Sequence, residues 1–496
     1  MDGYGFSRPT QGGEDCMQIG IASGSSACPA VALSWSQPWS CGDRRDSDGS
    51  CARGEGMRGL IPCQGNGMLH SESLGAPRST SPMQPLTVRK SRLEGKVRVS
   101  GAKNSVLRLL AASLLTPSEI LLDNYPSELL DAIVHVGMLE ALGKECTAVG
   151  DTLHIRERTF PSSELIWNGR SIRNTLLILG ALTARTGAGA VPAPGGCQLG
   201  DRKIDLHEML LRRLGAEVVI EDGLLKAYAP KGLIGNDIHL PLRSTGATEN
   251  AILCGTLAKG VTRIWNPHVR PEILDLIEML RTMGAEITVR GQESIEVVGR
   301  EGLDGARHRV VPDNMEAITW VIGSVMTRGD VEIVEFPFDH LEVPLIFLRE
   351  SGARFYRGSD NTLIVRGGEC FPVEISTGPY PGINSDMQPL FGAYACLAKG
   401  QSKLIDLRFA GRYGYADEFA RMGVKREIRD GVLNIRGGEP IRGAVVTALD
   451  LRAGMALMLL GMCADGETQI LDSWQIARGY DRMEQKFRDL GADVTF

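Results

Sequence analysis

The sequence contains no CxxC pair and no cluster of cysteine and histidine at zinc spacing. Its eleven cysteines form no disulfide framework. Cys16, Cys28, Cys41, Cys51 and Cys63 fall early, and the others are scattered singly, a usage that fits a reducing cytoplasm. No apolar run reaches the ~18 residues of a membrane span, so no membrane partner is expected. The N-terminus also lacks the charged start and apolar block of a secretory signal. A basic excess is missing too: the net charge is −6 and the pI about 5.9. That balance excludes nucleic acid as a bulk partner but leaves small anions open. Nothing in the sequence points to a protein partner.

The 496 residues are 43% apolar, enough for a sizeable core in about three domains or fewer. Residues 1–85 differ from the rest. "GIASGSSACPAV", "DRRDSDGSCARGEG" and "APRSTSPMQP" are rich in Gly, Ser and Pro without a sustained period, which reads as a disordered extension. Met83 stands just before the first patterned strand, so the stretch also reads as an over-called start.

From Leu93 a repeat begins. An amphipathic helix ends at a glycine, and a strand, a turn and a second strand follow, as in "LRRLGAEVVIEDGLLKAY" and "LRTMGAEITVRGQESIEVV". The glycines are Gly143, Gly215, Gly284, Gly352, Gly423 and Gly491, placed where a left-handed residue closes a helix. Each unit carries an earlier helix with a polar start and an otherwise apolar surface, such as "STGATENAILCGTLA" or "LDLRAGMALMLLGMC". Helices apolar all round belong inside. Six βαβαββ-like units therefore predict an α/β protein of two lobes, with buried helices inside, sheets outside and a cleft between the lobes.

The buried helices begin with Lys103, Arg173, Ser244, Asp386 and Arg452 near their first turns. First-turn N–H groups lack intrahelical partners and carry the positive end of the macrodipole, so starts that converge on a cleft favour anions. A lysine at such a start, Lys103 in "SGAKN", opposes the dipole unless an anion is bound. Arg173, Arg202, Arg412 and Arg478 stand among Gly and short polar residues, suited to bidentate capture of phosphate or carboxylate; each alone also reads as a surface salt bridge. Asp386 in "INSDMQP" reads as an N-cap or as a general base. Cys197 in "APGGCQLG" has a mobile, electropositive setting that lowers a thiol pKa, unlike Cys254, Cys396 and Cys463 in apolar helices.

The sixfold repeat with "SGAKN", "PGGC", "STGATEN", "SDMQ" and "DLRAG" resembles the enolpyruvyl transferase superfamily over about residues 86–496. It is more similar to the branch acting on UDP-N-acetylglucosamine than to the enolpyruvylshikimate phosphate synthases, which lack the Cys loop. The resemblance implies two inside-out α/β lobes: 86–102 with 312–496, holding the base, and 103–311, holding the Cys loop. It implies transfer of the enolpyruvyl group of phosphoenolpyruvate to an acceptor hydroxyl with release of phosphate, without metal or other cofactor. It also implies roles: Cys197 as the acid at C3, Asp386 as the base, Lys103, Arg202 and Arg478 around the phosphate, Arg412 and Arg452 toward the carboxylate, and Arg173 on the closing loop and phosphate. Asn104, Asp205, His207, Ser244 and Gly246 correspond to acceptor contacts.

Departures from the family pattern cluster on the acceptor side. Leu242 stands two places before Ser244, where the family has a lysine, with Arg243 adjacent. Asn314 replaces an arginine, and "RFAGRYGYA" stands for "FENRFMH". The segment "DRKIDLH" is largely kept. This resembles paralogues that place enolpyruvyl on the 3′-hydroxyl of uridine monophosphate in nucleoside antibiotic pathways; the cell-wall acceptor UDP-N-acetylglucosamine is the alternative. Two further readings are a nucleotide-binding homologue without activity and the shikimate-pathway reaction, against which the Cys loop speaks.

Overall fold

The structure, a computed structural model, describes residues 85–193 and 204–496. The N-terminal extension up to residue 84, Cys197 and Arg202 lie outside the described residues.

The glycine period appears as geometry. Leu130–Ala141, Asp205–Arg213, Pro271–Thr282, Phe338–Glu350, Gly414–Arg421 and Met483–Asp489 are the six amphipathic helices. Each is followed, after one cap residue, by the expected glycine, with φ from 77° to 105°. That backbone region strains any residue with a Cβ. A hairpin follows five of these glycines, for example Glu217–Glu221 with Leu224–Tyr228. After Gly491 a single strand, Val494–Thr495, pairs with Leu86–Arg89.

The strands form six sheets, one per unit, with three or four strands each. Six further helices lie inside them: Lys103–Ala112, Thr175–Thr186, Thr245–Leu257, Asn314–Met326, Gln388–Leu397 and Leu451–Gly461. Every residue of Asn314–Met326 and of Leu451–Gly461 is buried. The fold is thus a two-lobed α/β protein with helices inside and sheets outside. Among the described residues no helix is long and apolar enough to cross a membrane.

The inner helices are less uniformly apolar than the sequence pattern suggests. Glu249, Glu316 and Arg452 are buried in them. Arg108 Nε donates to Glu249 Oε1 at 2.6 Å, and Lys486 Nζ donates to Glu316 Oε1 at 2.5 Å. Charges survive inside because each carboxylate meets a cation.

Buried apolar side chains fall into two clusters. One draws on residues 86–99 and 315–494, the other on residues 106–310. Two neighbouring crossings join them. Glu94–Arg98 pairs in parallel with Asp330–Val334, and Ala306–Arg309 pairs in parallel with Ile120–Asp123. Between them Ala102 N donates to Val311 O and Asp313 N to Ser100 O, both at 2.8 Å. A Cβ on Gly101 would collide with the Asn124 carbonyl, so the crossing admits only glycine there without movement.

Candidate active site

The crossings bring the starts of several inner helices together, and carboxylates organise them. Asp313 caps Asn314–Met326 through Oδ1, which accepts from Met315 N at 2.7 Å and Glu316 N at 3.0 Å. Its Oδ2 accepts from Lys103 N at 2.8 Å. Asp450 caps Leu451–Gly461 in the same way, accepting from Arg452 N at 2.7 Å and Ala453 N at 2.9 Å. Its other oxygen lies 3.3 Å from Arg412 Nη2. Each aspartate caps the start of a helix and ties it to a neighbouring segment.

Asp386 does not cap. The helix Gln388–Leu397 begins two residues later, with Met387 as its N-cap residue. Asp386 Oδ1 instead accepts from Arg412 Nη1 at 2.9 Å, and Oδ2 lies 3.7 Å from Arg452 Nε. Burial pushes this carboxyl up, but Arg412 and Arg452, with Lys103 adding, hold it well below the ordinary carboxylate range. The capping alternative for Asp386 is therefore corrected: the side chain is the counter-ion of two arginines.

Arg452 is fully buried, 0% exposed. None of its three guanidinium nitrogens makes a hydrogen bond of ordinary geometry, and the group lies 5.3 Å from the centre of the Tyr480 ring. Arg412 Nε is also unpartnered, as are both amide atoms of the fully buried Gln388. Buried polar groups are nearly always satisfied in folded proteins, and the unpartnered guanidinium nitrogens are donors that an anion can use.

A second carboxylate gathers the other cations. Asp131, in the first turn of Leu130–Ala141, is 2% exposed. It accepts from Arg478 Nε at 3.0 Å and lies 2.9 Å from Lys103 Nζ. Burial raises its pKa, but Lys103 and Arg478 together outweigh that and keep it lowered. The anion expected at Lys103 is thus supplied here by Asp131. Lys103 and Asp131 come from the 103–311 segment and Arg478 from the other side of the crossing, so this carboxylate holds cations from both. Arg173 stands one residue before Asn174, which precedes Thr175–Thr186, and its charge reaches His207. Asn104 follows Lys103 in its helix and is half-buried.

The acceptor-side residues form another group. Ser244 caps Thr245–Leu257, accepting from Ala247 N at 3.4 Å. A Cβ on Gly246 would lie 3.2 Å from His207 Nε2. His207 is buried, its Nδ1 accepts from Asn250 Nδ2 at 3.0 Å, and burial with Arg173 pushes its pKa down to about 3. Asp205 is exposed at the start of its helix. Five unpaired cysteines stand among the described residues, and burial raises the thiols of Cys254 and Cys146 to about 12.

Reading the sequence alone missed Asp131, Asp313, Asp450 and Gln388. Gln388 had a usable signal, a polar residue at the first position of an apolar helix. Asp313 and Asp450 had only an ordinary capping pattern, and Asp131 had none.

The sequence pattern of the EPSP synthase (3-phosphoshikimate 1-carboxyvinyltransferase) family matches residues 88–487. The chain is 40% identical over 408 residues to UDP-N-acetylglucosamine 1-carboxyvinyltransferase 2 of Carboxydothermus hydrogenoformans, covering 82% of this chain and 97% of that protein. It is 37% identical over 421 residues to UDP-N-acetylglucosamine 1-carboxyvinyltransferase of Finegoldia magna, covering 83% and 98%. Among solved structures it is similar to the enolpyruvyl transferase NikO from Streptomyces tendae, with a TM-score of 0.76, 25% identity and coverage of 84% and 99%. EPSP synthase from Acinetobacter baumannii shares the fold at a TM-score of 0.65 and 20% identity, over 84% and 100% of the chains.

Proposed function

The chain belongs to the EPSP synthase family and is an enolpyruvyl transferase, and from that premise we infer that it moves the enolpyruvyl group of phosphoenolpyruvate to a hydroxyl of a uridine nucleotide. The observation that carries this reading is the pair of buried ion clusters, Arg412 and Arg452 on Asp386, and Lys103 and Arg478 on Asp131. Phosphoenolpyruvate has two anionic ends, a carboxylate and a phosphate, and two cation sets in one site match them in number and kind.

In this reading Arg412 and Arg452 hold the carboxylate, and Lys103 and Arg478 hold the phosphate, with Arg202 and Arg173 beside it. Cys197 protonates C3, positive character develops at C2, and the acceptor oxygen attacks there while Asp386 takes its proton. The C–O bond to phosphate then breaks, and the Cys197 thiolate takes a proton back from C3 to restore the double bond. Asp386 as found between two arginines is too acidic to be an effective base. A substrate carboxylate that engages Arg412 and Arg452 competes with it and raises its basicity. Substrate binding thus prepares the base. Asn104, Asp205, His207, Ser244 and Gly246 serve the acceptor. We take the lobe boundaries to be 102/103 and 311/312, in keeping with the two buried clusters, and the enzyme to work in the cytoplasm.

We favour the 3′-hydroxyl of uridine monophosphate as acceptor, because Leu242, Asn314 and the 408–416 loop depart from the family pattern at positions that correspond to its acceptor side. The second reading, UDP-N-acetylglucosamine, is supported by the 40% identity to the Carboxydothermus hydrogenoformans protein. The test is phosphate release from phosphoenolpyruvate with the two nucleotides offered side by side. The one that drives release is the acceptor. Binding of both without release would refute catalysis and leave a nucleotide-binding homologue.

A further inference from the structure

An indole to which no role has been given stands beside Arg478. Trp474 opens the short helix Trp474–Ala477, and Arg478 follows directly as its C-cap residue. The Arg478 guanidinium carbon lies 6.0 Å from the centre of the Trp474 ring, and Arg478 Nη1 donates to Gln475 Oε1 at 3.0 Å. Arg170, from the 103–311 segment, lays its guanidinium over the same ring, 3.8 Å from the centre. Arg170 is exposed, and among the described residues it forms no ion pair. The indole is what holds it in place.

The turn that presents Arg170 is anchored to its own lobe. Trp167 Nε1 donates to the Arg170 carbonyl at 2.9 Å. The Trp167 ring packs so closely on Leu130–Ala141 that a Cβ on Gly137 would lie 2.9 Å from it, and a Cβ on Gly169 would lie at 2.6 Å. Asp131 stands in the first turn of that same helix and accepts from Arg478 Nε at 3.0 Å. One helix thus carries the counter-ion of Arg478 and supports the turn that brings Arg170 to Trp474. Burial first, then the charge of Arg478, lower the Arg170 pKa, against the pull of Asp131. A second guanidinium beside Arg478 costs repulsion, which the stacking on Trp474 offsets and a bound phosphate would offset further.

We propose that Arg170, stacked on Trp474 across the two lobes, is a positioning residue for Arg478. The stack clamps the short helix from which the Arg478 guanidinium reaches the phosphate of phosphoenolpyruvate. This rests on the reading above in which Arg478 holds that phosphate. Arg170 acts through Trp474 and takes no part in the chemistry. Asp131 orients one edge of the Arg478 guanidinium, and the stacked pair fixes the backbone that carries it. Arg478 is therefore fully set only where the 167–170 turn of one lobe meets the 474–477 helix of the other.

Phosphate release is measured for the wild type, Arg170→Ala, Arg170→Lys, Trp474→Leu and the double variant Arg170→Ala/Trp474→Leu, with whichever nucleotide the wild type uses. Arg170→Ala and Trp474→Leu should each raise KM for phosphoenolpyruvate by about 3- to 30-fold, the range of a cation–π contact. Values of kcat and of KM for the nucleotide should stay within about threefold, the split expected when uniform binding of one substrate is lost. The double variant should be no worse than the weaker single one, because both changes remove the same contact, and Arg170→Lys should regain part of the loss. Unchanged KM for phosphoenolpyruvate in both single variants overturns the proposal. So do losses that multiply in the double variant, and so does an equal rise in KM for the nucleotide, which is what a merely structural role would produce. Wild-type protein that releases phosphate with neither nucleotide overturns the parent reading by itself. The stack is then judged by calorimetric titration of the same proteins with phosphoenolpyruvate: binding weakened by about 3- to 30-fold in the single variants supports it, and unchanged binding overturns it.

Discussion

Replacing Asp386 by Asn keeps the shape of the side chain and removes its charge. In the folded protein that charge faces Arg412 at 2.9 Å and Arg452 at 3.7 Å. At an effective dielectric constant near 20 these distances correspond to attractions of roughly 6 and 4 to 5 kcal/mol, before the opposing cost of desolvation. The carboxylate side chain retains 29% exposure, so the net loss lies between that of a surface pair and that of a fully buried one, about 2 to 3 kcal/mol. Unfolding entropy of about 2.1 cal/mol/K per residue over the 402 described residues gives ~0.8 kcal/mol per kelvin, and hence a fall in Tm of about 3 °C. Turnover should fall much further, by about 10²- to 10⁴-fold, the usual contribution of a positioned base. KM for phosphoenolpyruvate should not rise, because the arginines lose a competitor for the substrate carboxylate. The assays are phosphate release at saturating substrates, thermal denaturation, and calorimetric titration with uridine monophosphate and UDP-N-acetylglucosamine. A kcat within tenfold of the wild type would refute the role of Asp386 as base. Loss of nucleotide binding with turnover intact at saturation would show that it positions the acceptor instead.

An epoxide mimic of phosphoenolpyruvate such as fosfomycin should add covalently to Cys197 and spare Cys197→Ser, read by intact mass; equal adduct on both proteins contradicts the assignment. Burial, with nearby arginines adding, depresses His135 and His207 to about 3, so the unfolded chain takes up protons that the folded one refuses. Stability should be full above pH ~6.5 and fall toward pH 3, by about 1.4 kcal/mol per pH unit for each histidine. In thermal melts at several pH values His135→Gln should flatten that slope, and an unaltered slope counts against the account. Gly101→Ala should cost about 1 to 3 kcal/mol, because its Cβ meets the Asn124 carbonyl; a variant melting with the wild type would show that the crossing can relax.

The repeat could be read because its two signals are local. A glycine must end each amphipathic helix with positive φ, and a helix with no polar face has only the interior to occupy. The cations of the site could be read for a similar reason, since Lys103 and Arg452 stand at the starts of buried helices. Their counter-ions could not. Asp131 belongs to an amphipathic helix whose pattern makes it an ordinary first-turn acid, and only the tertiary approach of Lys103 and Arg478 gives it another task. Asp386 misled in the opposite direction: its spacing before an apolar helix fits a cap, but the chain turns helical two residues later and frees the carboxylate. Arg408 Nη1 donates to the Arg243 carbonyl at 3.4 Å across 165 positions of sequence, and no local pattern relates them.

The two crossings have a consequence for how the chain could be rewired. Ala102 and Val311 are hydrogen-bonded neighbours, and Thr87 lies directly opposite Thr495 in the sheet that both share. The polypeptide therefore makes two nearly closed circuits, and each begins and ends at one spot. A short linker joining the strand at 494–495 to the one at 86–89, with a new start opened in an exposed hairpin, would leave every sheet intact. Sequence order would be rearranged while the spatial neighbourhood of each side chain stayed the same.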